Sequence, residues 1–182
     1  MKKFLALLLA LTLTLGLTAC GGDDGGKDAP GQSSAGGTAL KIGGAGPLTG
    51  GAAIYGNAAK GGAEIAAEEI NALGGLQIEL RYEDDAHDAE KSVNAYNALK
   101  DWGMQVFLGS VTSTPGAATA AESNSDHIFY LTPSASSTDV IGGVANPLTG
   151  SVDIPRRDNV FQMCFVDPNQ GSASAQYIKD NN

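Results

Sequence analysis

Two short segments rich in hydroxyl side chains are the part of this sequence best suited to bind a small molecule. Residues 109–115 and 132–137 each follow an apolar run that predicts a buried strand, and the first segment leads into a predicted helix. The start of a helix has unpaired backbone N–H groups and a positive dipole end, which together favour an anion. Side by side, the two segments would offer hydroxyl and N–H donors to one small carboxylic acid. Each alone is also typical of an ordinary solvated turn.

An acidic cluster with one histidine follows the second predicted strand and has two interpretations. Its members are Glu83, Asp84, Asp85, His87 and Asp88. A metal site is one interpretation. The other is capping, because short carboxylates at a helix start accept hydrogen bonds from backbone N–H groups and meet the positive end of the helix dipole. We favour capping, with Asp88 as the capping residue of the second helix, and predict no metal site.

The glycine-rich segment 43–50 lies between a predicted strand and a predicted helix, where a dinucleotide-binding loop would lie. Its spacing from Gly44 is G-x-G-x-x-x-G and includes Pro47, and the acidic end of the second strand comes roughly forty residues later instead of about twenty. Neither His87 nor His127 belongs to a recognisable catalytic or zinc motif. We therefore predict no cofactor and no enzyme, and keep an NAD-dependent enzyme only as an alternative.

The N-terminal segment predicts secretion and lipid attachment. Two lysines precede the apolar run 4–15, which suits a signal peptide and is short for a permanent membrane span. The sequence Leu-Thr-Ala-Cys at 17–20 resembles a bacterial lipobox, so we expect residues 1–19 to be removed and Cys20 to be acylated. Residues 20–38 contain no large apolar side chain and are expected to form a flexible tether. A secreted protein with a chance cysteine is the alternative.

Charge and cysteine content exclude other classes of protein. The 20 acidic and 11 basic residues give a net charge of -9, which disfavours nucleic-acid binding because no basic surface is available for phosphates. If Cys20 is acylated, the second cysteine, Cys164, has no disulfide partner. Cys164 lies in an apolar run and is expected to be a small buried side chain.

Strand and helix patterns alternate along the chain after the tether. Alternating or continuous apolar residues predict strands at 40–45, 76–83, 106–108, 128–131 and 160–165. The first helix is expected to bury one face, which consists of Ala58, Gly62, Ile65, Ala66, Ile70 and Leu73. The second is expected to pack through Val93, Tyr96 and Leu99, and the third to open at Thr114-Pro115, with proline suited to the first helical position. Residues 133–158 are expected to form a loop.

This alternation predicts an α/β fold with a parallel sheet, helices on both faces and right-handed crossovers. Ligands of such sheets bind outside the carboxyl ends of the strands. Three segments are expected to meet there, namely 46–56, 109–115 and 132–137.

Taken together, several segments resemble the periplasmic-binding-protein family that serves branched-chain amino-acid (Leu/Ile/Val) ABC transporters. The resemblance covers residues 40–182 and rests on Leu40-Lys41-Ile42-Gly43, Gly46-Pro47-Leu48-Thr49-Gly50, Tyr55-Gly56, Glu68-Glu69-Ile70-Asn71 before Gly74-Gly75, Glu83-Asp84-Asp85, Asp158-Asn159-Val160-Phe161 and Asp167-Pro168-Asn169-Gln170-Gly171. It implies one lobe of a type I periplasmic binding protein, at residues 39–166, followed by an incomplete second lobe that starts at 167–182. Because family members close two lobes over the ligand, we expect weak or no binding by this chain alone.

The resemblance also implies roles for individual residues. Ser113 would bind the α-carboxylate of an amino acid through its hydroxyl and N–H, and Ser134 would offer its backbone carbonyl to the α-ammonium group. Ser136, where the family often has threonine, would serve both groups, and Tyr55 would border the ligand side chain. Thr114 and Ala135 complete the expected ligand-binding set.

The function implied by the resemblance is that of a lipid-anchored solute-binding protein at the extracytoplasmic face of a bacterial membrane. It would capture a small amino acid and deliver it to an ABC permease. A sensor of amides or short-chain acids with the same fold is the alternative.

Overall fold

The computed structural model describes residues 39–181. Five parallel strands form one sheet in the order β2-β1-β3-β4-β5. The strands are β1 (Leu40–Gly46), β2 (Ile78–Asp84), β3 (Val106–Leu108), β4 (Phe129–Thr132) and β5 (Val160–Gln162). The helices are α1 (Ala53–Ala72), α2 (Ala89–Trp102), α3 (Ser113–Asp126), α4 (Thr138–Ile141) and α5 (Asp167–Asn181). The predicted α/β fold with a parallel sheet is confirmed.

The strand order places helices on both faces of the sheet. From β1 the chain moves through α1 to β2 on one side, and then returns through α2 to β3 on the other side of β1. Because parallel crossovers are right-handed, this reversal of direction puts α1 and α2 on opposite faces. Consistent with this, α2 packs against α3, and both α1 and α2 contact β1 and β2. The reversal also opens a crevice at the carboxyl ends of β1 and β3, where ligands of such sheets bind.

The core lies between the sheet and the α2–α3 layer. Phe107 is fully buried, with its ring 5.2 Å from that of Tyr96 in an edge-on arrangement and 5.2 Å from that of Tyr130. Such pairs contribute about 0.5–1.5 kcal/mol beyond the area they bury. Leu99 and Val160 complete the fully buried centre of this layer. As predicted, α2 packs through Tyr96 and Leu99, whereas the third predicted residue, Val93, is only half-buried.

The predicted capping of α2 by Asp88 is also confirmed. The Asp88 carboxylate accepts a hydrogen bond from the Lys91 backbone N–H at 2.9 Å. At the other end Gly103 takes the left-handed conformation, with φ 91°, and its N–H donates to the carbonyl of Lys100. The helix therefore begins at a residue whose side chain caps it and ends at a glycine that accepts the left-handed conformation.

The expectation for the buried face of α1 is wrong. Ile65 and Leu73 are 59% and 84% exposed, while the buried residues of the helix are the small Gly56 and Ala67. The small residues allow α1 to approach its neighbours closely, and the larger apolar stripe is thereby turned away from the sheet. The periodicity of the sequence identified a helix face with large apolar side chains, but the face that packs closely in the structure is the one with small side chains.

The expectation for residues 160–165 is wrong in its second half. Strand β5 ends at Gln162, because its partner β4 ends at Thr132, whose carbonyl accepts the last hydrogen bond from the N–H of Met163. Beyond that point Met163 and Phe165 are 73% and 69% exposed. Cys164 is therefore half-buried, not a core side chain, and partial burial raises the pKa of its thiol.

Further boundaries differ from the sequence expectation: β2 begins at Ile78 and not at residue 76, and β4 begins at Phe129 and not at residue 128. The third helix begins at Ser113, after Thr112, so that Pro115 is its third residue. Proline is tolerated there because the first helical N–H groups have no intrahelical acceptor. Residues 133–158 are not loop throughout, since the Ser137 hydroxyl accepts the Asp139 N–H at 3.1 Å and starts the short helix α4.

Two predictions lie wholly outside the described residues, namely the signal peptide at 1–19 and the acylated Cys20 with its tether at 20–38. Among residues 39–181, no helix is both long enough and apolar enough to cross a membrane. The helix α5, which was predicted to begin a second lobe, has no buried residue in this part of the chain.

Candidate ligand site

Loops that follow four strands of the sheet line one cleft. A cavity of about 420 Å³ lies there, open to solvent. Its lining consists of Tyr55, His87, Val111, Thr112, Ser113, Thr114, Ser134 and Ser136. The structure therefore brings together five of the six residues predicted to bind a ligand, and it adds three residues that were not predicted.

Asp84 fixes the loop between β1 and α1. Its Oδ1 accepts hydrogen bonds from the backbone N–H groups of Leu48 at 2.7 Å and Ala86 at 2.8 Å, and its Oδ2 accepts the Thr49 hydroxyl at 2.6 Å. Desolvation tends to raise the pKa of Asp84, but these hydrogen bonds outweigh it, the Thr49 hydroxyl most strongly, so that the pKa is lowered. The carboxylate is thus used structurally, as a clamp on the loop that carries Tyr55.

Asp85 fixes the loop between β3 and α3. It is fully buried, and its two oxygens accept the Ser110 hydroxyl and the His87 backbone N–H. Desolvation raises the pKa of Asp85, the two hydrogen bonds oppose that effect, and the negative charge of Asp84 adds to it. A buried carboxylate without such donors would be costly. The acidic turn therefore joins the loops on either side of it, in addition to capping α2.

The floor of the cleft is a network of buried polar groups. The Ser110 N–H donates to the Tyr130 hydroxyl at 2.9 Å, and the Ser110 carbonyl accepts the Thr132 hydroxyl at 2.7 Å. The Thr132 hydroxyl in turn accepts the Ala135 N–H at 3.0 Å. Gly109, with φ 141°, lets this loop pass close to β1, since a Cβ there would lie 2.3 Å from the Ala45 carbonyl oxygen. Both hydroxyl-rich loops are thereby held against the sheet.

The start of α3 supplies donors to the cleft. Ser113 and Thr114 are the first two residues of the helix, so their N–H groups have no intrahelical acceptor. The third residue is Pro115, which has no N–H, and the Gly116 N–H donates to the Thr112 carbonyl at 2.8 Å. The free donors at this helix end are therefore concentrated at Ser113 and Thr114, where an anion is favoured.

The loop after β4 contributes two serines to the cavity, while Ala135 lies beneath it. Ser134 and Ser136 line the cavity, and the Ser134 hydroxyl donates to the Val111 carbonyl at 2.7 Å. Ala135 is fully buried, and its carbonyl accepts the Gln162 side-chain amide at 2.6 Å. The structure thus places Ala135 in the support of the site and does not bring its side chain to the cavity surface.

The position of Tyr55 depends on its neighbour Gly56. A Cβ at Gly56 would lie 2.0 Å from the Pro47 carbonyl oxygen, so only glycine allows α1 to pack on the loop after β1. Tyr55 itself is 65% exposed at the edge of the cavity. Its ring is therefore free to cover a bound molecule, while the backbone that carries it is fixed.

The sequence analysis missed His87 as a cavity residue, and it placed Val111 and Thr112 at the cleft only as part of segment 109–115, without a role in ligand binding. His87 lies close to the cleft because its ring Nδ1 is 2.8 Å from the Thr112 hydroxyl, which joins the loop after β2 to the loop after β3. The signal that could have identified His87 is topological, since all carboxyl ends of parallel strands meet at one edge of the sheet. His87 was weighed only as a metal ligand or a neighbour of capping residues.

No alternative binding chemistry stands out elsewhere in residues 39–181. In that range no group of three or more His, Cys, Asp or Glu side chains is arranged to hold a metal ion. A second cavity, of about 480 Å³, lies between the loop after α4 and the start of α5 and includes Asp139, Asp153 and Pro168. None of the predicted site residues lines it.

The sequence and fold match those of a known protein family. Residues 39–182 match the sequence model of a family described as "Periplasmic binding protein". The match covers most of the chain, and the chain belongs to this family.

Individual relatives support the same assignment. A Leu/Ile/Val-binding protein homolog 3 from Brucella melitensis is 31% identical over 145 residues, which cover 78% of this chain and 36% of the relative. The branched-chain amino acid transporter substrate binding protein LivJ from Streptococcus pneumoniae, solved in complex with isoleucine, aligns with a TM-score of 0.61 at 27% identity and covers 71% of this chain and 35% of that one. A solute binding protein of an ABC transporter from R. palustris, solved with benzoate, aligns with a TM-score of 0.62 at 25% identity and covers 75% and 35% of the two chains. The chain thus spans about a third of the length of these relatives.

Proposed function

We propose that this chain is part of a solute-binding protein of an ABC importer that captures a branched-chain or similar small amino acid and delivers it to a membrane permease. The observation that carries the proposal is the cleft at the strand ends, where the donors of Ser113 and Thr114 face the hydroxyl loop 134–136. The names of the relatives that bind leucine, isoleucine and valine point to the same ligand class. The family match supports binding and not catalysis, because the family is one of solute-binding proteins.

In this proposal each residue contacts a defined part of the ligand. Ser113, with Thr114 beside it, binds the α-carboxylate through hydroxyl and N–H donors at the start of α3. Ser134 offers its backbone carbonyl to the α-ammonium group, which agrees with a hydroxyl already committed to the Val111 carbonyl. Ser136 contacts both groups, Ala135 supports the loop from below, and Tyr55 covers the ligand side chain.

We further propose that the protein is a lipoprotein at the extracytoplasmic face of the membrane. The lipobox-like sequence at 17–20 and the signal-like residues 1–19 support lipid attachment at Cys20. Residues 20–38 would hold the binding lobe, residues 39–166, away from the lipid headgroups, and residues 167–182 would begin a second lobe.

Calorimetric titration of L-leucine, L-isoleucine and L-valine into the protein as its own cell makes it tests the proposal. We expect binding of at least one of them, and S113A should weaken it at least about tenfold, because hydrogen bonds to a charged group contribute about 1.5–3 kcal/mol. S125A is the matched control, since Ser125 is an exposed serine of the same helix whose hydroxyl donates to the Ala121 carbonyl. Absence of binding by all three amino acids, or equal affinity of the S113A and S125A proteins, would contradict the proposal.

A sensor or importer of carboxylic acids without an ammonium group is the second candidate, and the relative solved with benzoate favours it. The donors at the start of α3 suit any carboxylate. Titration with benzoate separates the two candidates, because a site built for an amino acid leaves the Ser134 carbonyl unpaired when benzoate binds and should prefer L-leucine.

A further inference from the structure

His87 has a position that its neighbours in the acidic turn do not explain. It lines the same cavity as Ser113 and Ser136, although it belongs to the loop after β2. It is the only member of the cavity lining whose side chain can carry a positive charge. Asp84, Asp85 and Asp88 use their carboxylates as clamps and cap, whereas the His87 ring uses only Nδ1, in its contact with Thr112.

The imidazole is held in place from two sides. The backbone N–H of His87 donates to the Asp85 carboxylate at 2.9 Å, and φ at His87 is 62°, in the left-handed region. Its Nδ1 shares a hydrogen bond of 2.8 Å with the hydroxyl of Thr112, the residue that precedes Ser113. Within the described part of the chain, Nε2 has no hydrogen-bond partner, so this ring nitrogen remains available to a bound molecule.

We propose that His87 is a further ligand-contacting residue, which places a proton-dependent positive charge beside the carboxylate-binding end of the cleft. The inference rests on the proposed function, because it takes the ligand to carry a carboxylate near Ser113. Thr112 links His87 to the proposed carboxylate site. Its hydroxyl is hydrogen-bonded to the imidazole, and it immediately precedes Ser113, the residue proposed to bind the anion.

The charges around the cleft give the expected direction of the effect. The loops 109–115 and 132–137 carry no charged side chain, and α1 contributes only Tyr55 to the cavity. The nearest charged groups are Asp84, Asp85 and Asp88 of the same turn, which oppose an anion. A protonated imidazole attracts an anion whereas a neutral one does not, and protonation is favoured as the pH falls. Binding of a carboxylate should therefore become tighter as the pH falls.

The test compares two histidine variants of the protein as its own cell makes it, with L-leucine as the probe. His127 is the matched control, because it also has a left-handed backbone, with φ 56°, and lies after the far end of α3. Asparagine tolerates that conformation, so the variants are H87N and H127N. We expect the unchanged protein and H127N to bind L-leucine about two- to fivefold more tightly at pH 5.5 than at pH 8, the range of a partly exposed ion pair. The H87N protein should bind equally at both pH values.

The possible results distinguish this inference from the proposed function. Binding of L-leucine with the same pH dependence in H87N as in the unchanged protein overturns the role of His87 and leaves the proposed function standing. Absence of L-leucine binding in all three proteins overturns both. Should H87N fail to fold, NMR titration of the His87 ring in the unchanged protein replaces it: L-leucine should raise the midpoint of that titration, and an unmoved midpoint overturns the inference.

Discussion

At the scale of single residues, Gly56 decides how the ligand-facing loop and the first helix fit together. It lies on α1 and touches the Pro47 carbonyl, with no room for a side chain between them. Gly61 lies on the same helix, and a Cβ there would meet nothing within 4 Å. The two glycines of α1 thus differ. Gly56 is required by a close contact, whereas Gly61 has room for a side chain and only lowers the helix propensity.

The substitution G56A should destabilise the protein by at least about 2 kcal/mol, because the added methyl group must displace backbone. The matched control, G61A, should stabilise it by about 0.5–1 kcal/mol through helix propensity. Urea unfolding followed by circular dichroism measures both free energies of unfolding. A G56A protein as stable as the G61A protein would show that α1 packs differently.

At the scale of elements, α2 shows how local chemistry positions a helix of the core. Asp88 caps its start, Gly103 ends it, and Tyr96 and Leu99 fix its buried face. Asp88, the capping residue, also ends the turn that carries Asp84 and Asp85. The start of α2 and the hydrogen bonds that hold the two site loops therefore depend on one segment of the chain.

The substitution D88A should lower the free energy of unfolding by about 1 kcal/mol, the usual cost of removing a side-chain cap. Asp101 provides the comparison, because it lies in the last turn of the same helix, where a negative charge opposes the dipole. D101A should therefore leave stability unchanged or raise it by a few tenths of a kcal/mol. Equal losses in the two variants, measured by urea unfolding, would argue against capping by Asp88.

Elements with a dominant local signal could be predicted from the sequence, and those set by packing could not. The existence of β1 and β2 and the cap of α2 have local signals in the sequence, and each was confirmed, although the burial of β1 does not alternate. The buried face of α1 depends on how closely Gly56 and Ala67 approach the sheet, which periodicity does not encode. The end of β5 depends on where β4 stops, and the two strands pair across 30 positions of the chain, as Thr132 does with Gln162.

The candidate site shows the same division. Ser113 and Ser134 could be found because a hydroxyl residue that follows an apolar strand pattern can be recognised from the sequence alone. His87 could not be assigned to the cleft in that way, because its link to Thr112 crosses 25 positions of the chain. Likewise, the burial of Ala135 follows from contacts with Thr132 and Gln162, not from its own neighbours in sequence.

At the scale of the whole molecule, the proposal assigns different tasks to different stretches of the chain. Residues 1–19 would direct export, Cys20 would carry the lipid, and residues 39–166 would hold the ligand-binding cleft. The net charge of -9 favours no attraction to anionic headgroups, so under this proposal attachment to the membrane would depend on the lipid and not on a basic surface.

The substitution C20S should therefore release the protein from the membrane fraction of its own cell, and the intact mass should lack the added acyl chains. C164S is the matched control, because Cys164 lies in the folded part of the chain and should not affect attachment. Fractionation followed by mass spectrometry gives both answers. A C20S protein that still sediments with membranes would contradict lipid attachment at this residue.

The buried network under the cleft has a consequence for how the site fluctuates. Ser110 and Ala135 belong to loops, yet their N–H groups donate to hydroxyls of Tyr130 and Thr132, which are themselves fully buried. These amides can reach solvent only if core side chains move apart, so they open with the cooperative unit of the sheet and not with the surface loops. The floor of the cleft should thus open only together with the core, and the exposed side chain of Tyr55 at the rim is the part left to adjust when a ligand arrives.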